Sequence, residues 1–188
     1  MKHKVGILIS GRGSNMMSLV EASRAENAPY EIALVASDKP DAPGLAWARD
    51  NGVATFAHSP KGIPKPEYEA AIDAALREAG VETIALAGYM RLLSDDFVAK
   101  WRGRILNIHP SLLPKYKGLD THARALAMGD LVAGCSVHIV TEELDGGEVL
   151  GQAEVRIEAR DTAESLAERV LKEEHRLYPK VLGEFLCR

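Results

Sequence analysis

Short apolar runs that alternate with stretches of helical spacing, from Val5 to Val140, limit what this chain can fold into more than any other feature. Val5-Gly6-Ile7-Leu8-Ile9 and Thr83-Ile84-Ala85-Leu86-Ala87 are apolar throughout, the mark of strands buried on both faces. Further strands are expected at Glu31–Ala36, Val53–Phe56, Arg104–His109 and Cys135–Thr141. Between them lie helical patterns. One starts near Met16, Gly44–Asn51 is closed by Gly52, and Glu67–Ala79 carries the stripe Tyr68, Ala71, Ile72, Ala75 and Leu76. Ser94 caps a helix that reaches Trp101, and another ends at Met128 before Gly129. Strand–helix alternation of this kind predicts a single α/β domain with a mostly parallel, twisted, Rossmann-like sheet and helices on both faces. Val149–Ile157 reads as a less buried strand, and a helix capped by Asp161 or Thr162 closes the chain. Pro179 lies inside that helix and predicts a kink or break. Ligands of such sheets sit at the carboxyl ends of the strands, so the loops with Gly13, Met90, Asn107/His109 and Asp145 should gather along one edge.

Composition narrows the class. With 188 residues, a net charge of −4 and no basic tract, the chain is one domain with no electrostatic footprint for nucleic acid. No apolar run approaches the roughly 20 residues of a membrane span. Cys135 and Cys187 form no redox or metal motif, which fits a reducing cytoplasm. The start of the chain lacks the features of a signal peptide. The six histidines do not pair with carboxylates or cysteines at ligand spacing, so no metal is expected.

Three stretches carry chemistry. In Ser10-Gly11-Arg12-Gly13-Ser14-Asn15 a glycine-rich turn joins a strand to a helix, where free N–H groups point at an anion. A dinucleotide site would want a third glycine where Met16 stands, although Asp38 could serve as the ribose acid. A phosphate monoester fits better, and a turn that binds nothing stays open. In Asn107-Ile108-His109-Pro110 the amide and the imidazole share one face of a strand that proline then stops. A neutral and a titratable donor side by side suit charge developing on a carbonyl oxygen, but a turn asparagine beside a surface histidine reads equally well. Gly88-Tyr89-Met90-Arg91-Leu92-Leu93 could line a pocket for a flat ring or be ordinary core. The proline-rich loop from His58 to Pro66 holds Lys61 and Lys65, and Glu142–Gly147 is an acidic turn around Asp145. No serine or cysteine sits in a nucleophile elbow. An amide, an imidazole and a carboxylate then point to transfer between two bound substrates with acid–base help.

Asn107-Ile108-His109-Pro110-Ser111-Leu112-Leu113-Pro114 resembles the signature of the folate-dependent formyltransferases. Gly11–Asn15, Gly88–Arg91, Gly118–His122 and Glu143–Gly147 extend the resemblance over essentially the whole chain, toward the branch that acts on glycinamide ribonucleotide. The resemblance implies that residues 1–188 form one domain, its N-terminal half for the ribonucleotide phosphate and its C-terminal half for folate and catalysis. It implies transfer of the formyl group of 10-formyltetrahydrofolate, a co-substrate, to the amine of glycinamide ribonucleotide in purine biosynthesis. By the same resemblance Asn107 and His109 stabilise the oxyanion and Asp145 assists proton transfer. Gly13, Ser14, Asn15 and Glu174 hold the ribonucleotide, while Lys65, Met90, Arg91, Leu92, Leu93, Asn107, Thr141 and Asp145 border the folate. The partners are then small molecules, without nucleic acid or membrane, for a cytoplasmic monomer or homodimer. A hydrolase using the same site, an inert nucleotide-binding regulatory module and a dinucleotide oxidoreductase are the rivals.

Overall fold

The computed structural model describes residues 1–188. The chain runs β1 (His3–Ile9), α1 (Ser14–Ser23), β2 (Tyr30–Ser37), α2 (Pro43–Asp50), β3 (Thr55–Ala57), α3 (Lys65–Glu78) and β4 (Thr83–Leu86). It continues with α4 (Asp95–Lys100), β5 (Ile105–His109), α5 (Thr121–Ala127), β6 (Val132–Ile139), β7 (Val149–Arg156) and α6 (Ala163–Leu186). The seven strands form one sheet in the order β3-β2-β1-β4-β5-β6-β7. The first five are parallel, whereas β6 and β7 are antiparallel to their neighbours.

Alternation along each strand divides the core between two layers. Ile7, Ile9, Ala85, Leu106 and Val137 pack on the side of α1, α2, α5 and α6, with Leu19, Leu45 and Val170. Leu8, Ile84, Leu86 and Ile105 face α3 and α4, with Tyr68, Ile72, Phe97 and Trp101. Helices therefore cover both faces of the sheet. No helix is long and apolar enough to cross a membrane.

Helix ends follow local chemistry. Ser94 caps α4 by accepting from the Phe97 N–H at 3.2 Å. Thr162, rather than Asp161, caps α6, in a reciprocal capping box with Ser165. Two expectations need correction. The loop starting at His58 ends earlier than Pro66, because α3 begins at Lys65. A proline in the first turn loses no intrahelical bond, so Pro66 starts this helix rather than preceding it. The expected break at Pro179 is absent, and α6 is one helix of 24 residues. The proline removes a single backbone bond, while Tyr178 beside it is fully buried and its hydroxyl is shared between the carbonyls of Leu86 (3.1 Å) and Leu106 (3.0 Å). Packing against the sheet outweighs the lost bond.

Candidate active site

A groove of about 780 Å³ opens where β1, β4 and β5 end. Its floor and walls come from Gly11–Asn15 after β1, Ala87–Met90 after β4, Asn107–Pro110, the Gly118–His122 segment, and Leu171, Glu174 and His175 of α6. The parallel strands thus deliver their loops to one edge, as expected. Asp145 arrives by another route. Because β6 runs antiparallel, its carboxyl end lies beside the start of β5, where the Val140 N–H donates to the Ile105 carbonyl at 2.8 Å. The turn after β6 then folds back across the sheet to bring Asp145 to His109 and His138.

The His109 ring, 7 % exposed, donates from Nε2 to the Tyr116 carbonyl at 2.8 Å. That bond fixes the ring and turns Nδ1 toward Asp145, 3.5 Å from Oδ2. The Gly118 N–H donates to the same Oδ2 at 2.9 Å. Asp145 Oδ1 lies 3.5 Å from His138 Nε2, and the Asn107 amide Nδ2 lies 3.3 Å from that same nitrogen. His138 donates from Nδ1 to the Ile139 carbonyl at 2.9 Å. A neutral His138 accepts from Asn107 at Nε2, whereas a charged one aims Nε2–H at Asp145. Asn107, His109 and Asp145 are therefore joined into one network, and the joining residue is His138. Burial pushes the Asp145 carboxyl up, but the His138 bond, the Gly118 N–H and the nearby His109 outweigh it and hold the carboxyl below its usual range. Asp145 has φ 49°, a left-handed backbone that aspartate tolerates.

The other end of the groove is an anion cradle. Gly13 has φ 70°, a conformation suited to glycine, and the first-turn N–H groups of α1 open beyond it. Ser14 is the first residue of α1. Asn15, 8 % exposed, donates from Nδ2 to Glu174 Oε2 at 2.7 Å, across 159 positions of sequence. Its Oδ1 is buried without a partner. Burial raises the Glu174 carboxyl above the usual range, opposed by the Asn15 bond. A raised carboxyl means that folded stability falls as pH rises from the usual glutamate range through the raised value. Glu174→Gln is therefore expected to melt higher than the wild type, with a gap that widens over that window. A melting series that shows no gap at any pH contradicts this.

The residues expected at the folate disperse around this centre. Met90 lines the groove and is tied by its N–H to Ser10 Oγ at 2.9 Å, with its side chain exposed, as is that of Leu92. The Arg91 guanidinium lies 5.2 Å over the Tyr68 ring, and Leu93 packs against the α3/α4 layer. Thr141 Oγ1 accepts from the Glu143 N–H at 3.3 Å within the Asp145 turn. Lys65 is an exposed residue of the first turn of α3 and lines no part of the groove. No group of three histidine, cysteine or acidic side chains is arranged to hold a metal ion.

Sequence reasoning passed over His138, the Tyr116 carbonyl, His122 and His175. One signal for His138 was present: Ser136 and His138 are two apart, as are Asn107 and His109. The antiparallel register pairs Asn107 with His138 and His109 with Ser136, which puts all four on one face. Ser136, fully buried, donates to the Ser111 carbonyl at 2.6 Å and accepts from the Leu113 N–H at 3.0 Å, which anchors the loop after β5.

The chain is similar to known proteins in sequence and in fold. Residues 3–182 match the formyl transferase family. The chain is 43 % identical over 180 residues to phosphoribosylglycinamide formyltransferase of Escherichia coli, covering 95 % of this chain and 85 % of that protein. It is 45 % identical over 183 residues to the trifunctional purine biosynthetic protein adenosine-3 of Gallus gallus, covering 96 % of this chain but only 18 % of that protein. The crystal structure of phosphoribosylglycinamide formyltransferase from Brucella melitensis superposes with a TM-score of 0.96 at 52 % identity, over 100 % of this chain and 97 % of that one. Agreement in sequence, in fold and over nearly the full length of two of these relatives has one reading: the chain belongs to the formyl transferase family.

Proposed function

We propose that the protein transfers the formyl group of 10-formyltetrahydrofolate to the amine of glycinamide ribonucleotide, a step of purine biosynthesis in the cytoplasm. The single observation that carries this reading is the 3.5 Å approach of His109 Nδ1 to Asp145 Oδ2 beside a groove that ends in an anion cradle. A shared site for a phosphorylated amine and a one-carbon donor needs both features. The names of the E. coli and B. melitensis relatives support formyl transfer and the choice of the amine substrate.

The chain's groups divide the work. Gly13, Ser14 and Asn15 receive the phosphate at the start of α1, and Glu174 with the orphaned Asn15 Oδ1 offers acceptors to ribose hydroxyls. The folate borders Met90–Leu93 and the Thr141–Asp145 turn, with Lys65 toward its outer end. When bound, 10-formyltetrahydrofolate supplies the electrophilic carbon. As the amine attacks, negative charge develops on the formyl oxygen, and the Asn107 amide and His109 Nδ1–H donate to it. His109 is poised for this because Nε2 is already held by Tyr116. Asp145, kept ionised, supports the charge on His109 and takes the proton that the amine sheds, directly or through water, for delivery to the leaving nitrogen.

The test is a spectrophotometric transfer assay with each substrate omitted in turn. Turnover that requires both substrates is expected. Formate release without ribonucleotide would assign the site to hydrolysis instead, and phosphate-ligand binding without transfer would leave a regulatory module.

A further inference from the structure

The charges around the groove are unevenly placed. Arg12 is the one arginine or lysine among the lining residues, and it enters no salt bridge and no side-chain hydrogen bond. Against it stand the carboxylates of Glu174 and Asp120, both in the lining. The lining imidazoles of His122 and His175 are pushed toward their neutral forms by burial, His122 also by the neighbouring His109. A phosphate monoester brings about −1.5 to −2 charges at pH 7. The first-turn N–H groups of α1 supply only partial charge, equivalent to roughly half a proton. An exposed guanidinium, free of any internal partner, is the one full positive charge on the cradle loop itself.

We propose that Arg12 pairs with the phosphate of the ribonucleotide and is the residue by which the groove selects a phosphorylated ribose over the same ligand without phosphate. The inference rests on the reading of the site given above, for the identity of the amine substrate only. A planar guanidinium donates two parallel N–H bonds to phosphate oxygens and stays charged at any working pH. An asparagine there would offer one neutral donor. An alanine would leave the anion to the backbone.

The experiment compares wild type with Arg12→Ala in two assays. In formyl transfer, kcat/KM for glycinamide ribonucleotide is expected to fall about 10- to 100-fold, the loss of one charge-assisted pair. The value for the dephosphorylated riboside is expected to stay the same, so the ratio between the two substrates collapses. The wild-type ratio also shrinks with added salt, and the Arg12→Ala ratio changes less. The second assay measures binding of ribose 5-phosphate by NMR titration, with no folate present. A 10- to 100-fold weaker complex with Arg12→Ala is expected. Equal fractional losses for both transfer substrates, or ribose 5-phosphate binding unchanged by the substitution, overturns the inference. Absence of transfer by the wild type counts against the proposed activity alone, since the binding assay still decides the role of Arg12.

Discussion

Asp145→Asn is expected to lower kcat by about 10²–10⁴-fold while the chain stays folded, the range of a lost general acid or base. The substitution is nearly isosteric. Asparagine also tolerates the left-handed backbone at this position, with φ 49°. Its carbonyl oxygen can still accept from the Gly118 N–H, now 2.9 Å from Oδ2. What disappears is the charge. One amide edge must present an N–H to either His109 or His138, both of which face the carboxylate at 3.5 Å. His109 then no longer faces an anion, and the proton transfer proposed above loses its acceptor. The depressed carboxyl also links Asp145 to stability: its contribution is present above the usual aspartate range and is lost as pH falls through the lowered value. Asp145→Asn should therefore flatten that part of the acid limb in a pH series of melting temperatures. Wild-type turnover in the variant removes Asp145 from the chemistry, and loss of the folded circular dichroism spectrum means that the residue is structural first.

Gly147→Ala is expected to damage both fold and turnover. A Cβ on Gly147 would sit 1.8 Å from the Ile139 carbonyl oxygen and 3.2 Å from Thr141 Cγ2. The first contact is with backbone at the end of β6, where the Ile139 N–H also receives the return of the chain by donating to the Glu148 carbonyl at 2.9 Å. No side-chain rotation relieves it. The strand end and the turn must separate, which costs about 3 kcal/mol or more, the upper part of the range for overpacking. For a domain of this size that lowers Tm by roughly 6–12 °C. The turn between these two residues carries Asp145, so kcat falls as well. Calorimetry and the transfer assay on the same preparation check both effects. A variant that melts like the wild type shows that the turn can shift without strain.

The alternation of apolar and amphipathic stretches was enough to read the sheet, its two covering layers and most element ends. Gly13, Ser14 and Asn15 were legible because glycine before a helix has a direct backbone meaning. Asn107 and His109 were legible because they share a strand face two residues apart. Three things were not. His138 carried the same two-residue spacing with Ser136, but only the pairing of β5 with β6 sets it beside Asn107, and register between distant strands is not a local property. Asp145 lies beside His109 as expected, but its route was hidden: β6 runs antiparallel, so the turn after it reaches that edge by folding back over the sheet. Tyr116 acts through its backbone carbonyl, which every residue has, so side-chain type gave no sign of it. At Pro179 the local rule was sound, and buried contacts of Tyr178 overrode it.

The bond between Asn15 and Glu174 joins the first helix of the chain to α6. A ribosome must add 159 further residues after Asn15 before the cradle acquires its far wall. Until α6 docks, the glycine loop emerges as half a receptor, with an amide lacking its acceptor and a groove open along one flank. A chain cut before α6 is therefore expected to lack one wall of the groove and the acceptor of the Asn15 amide.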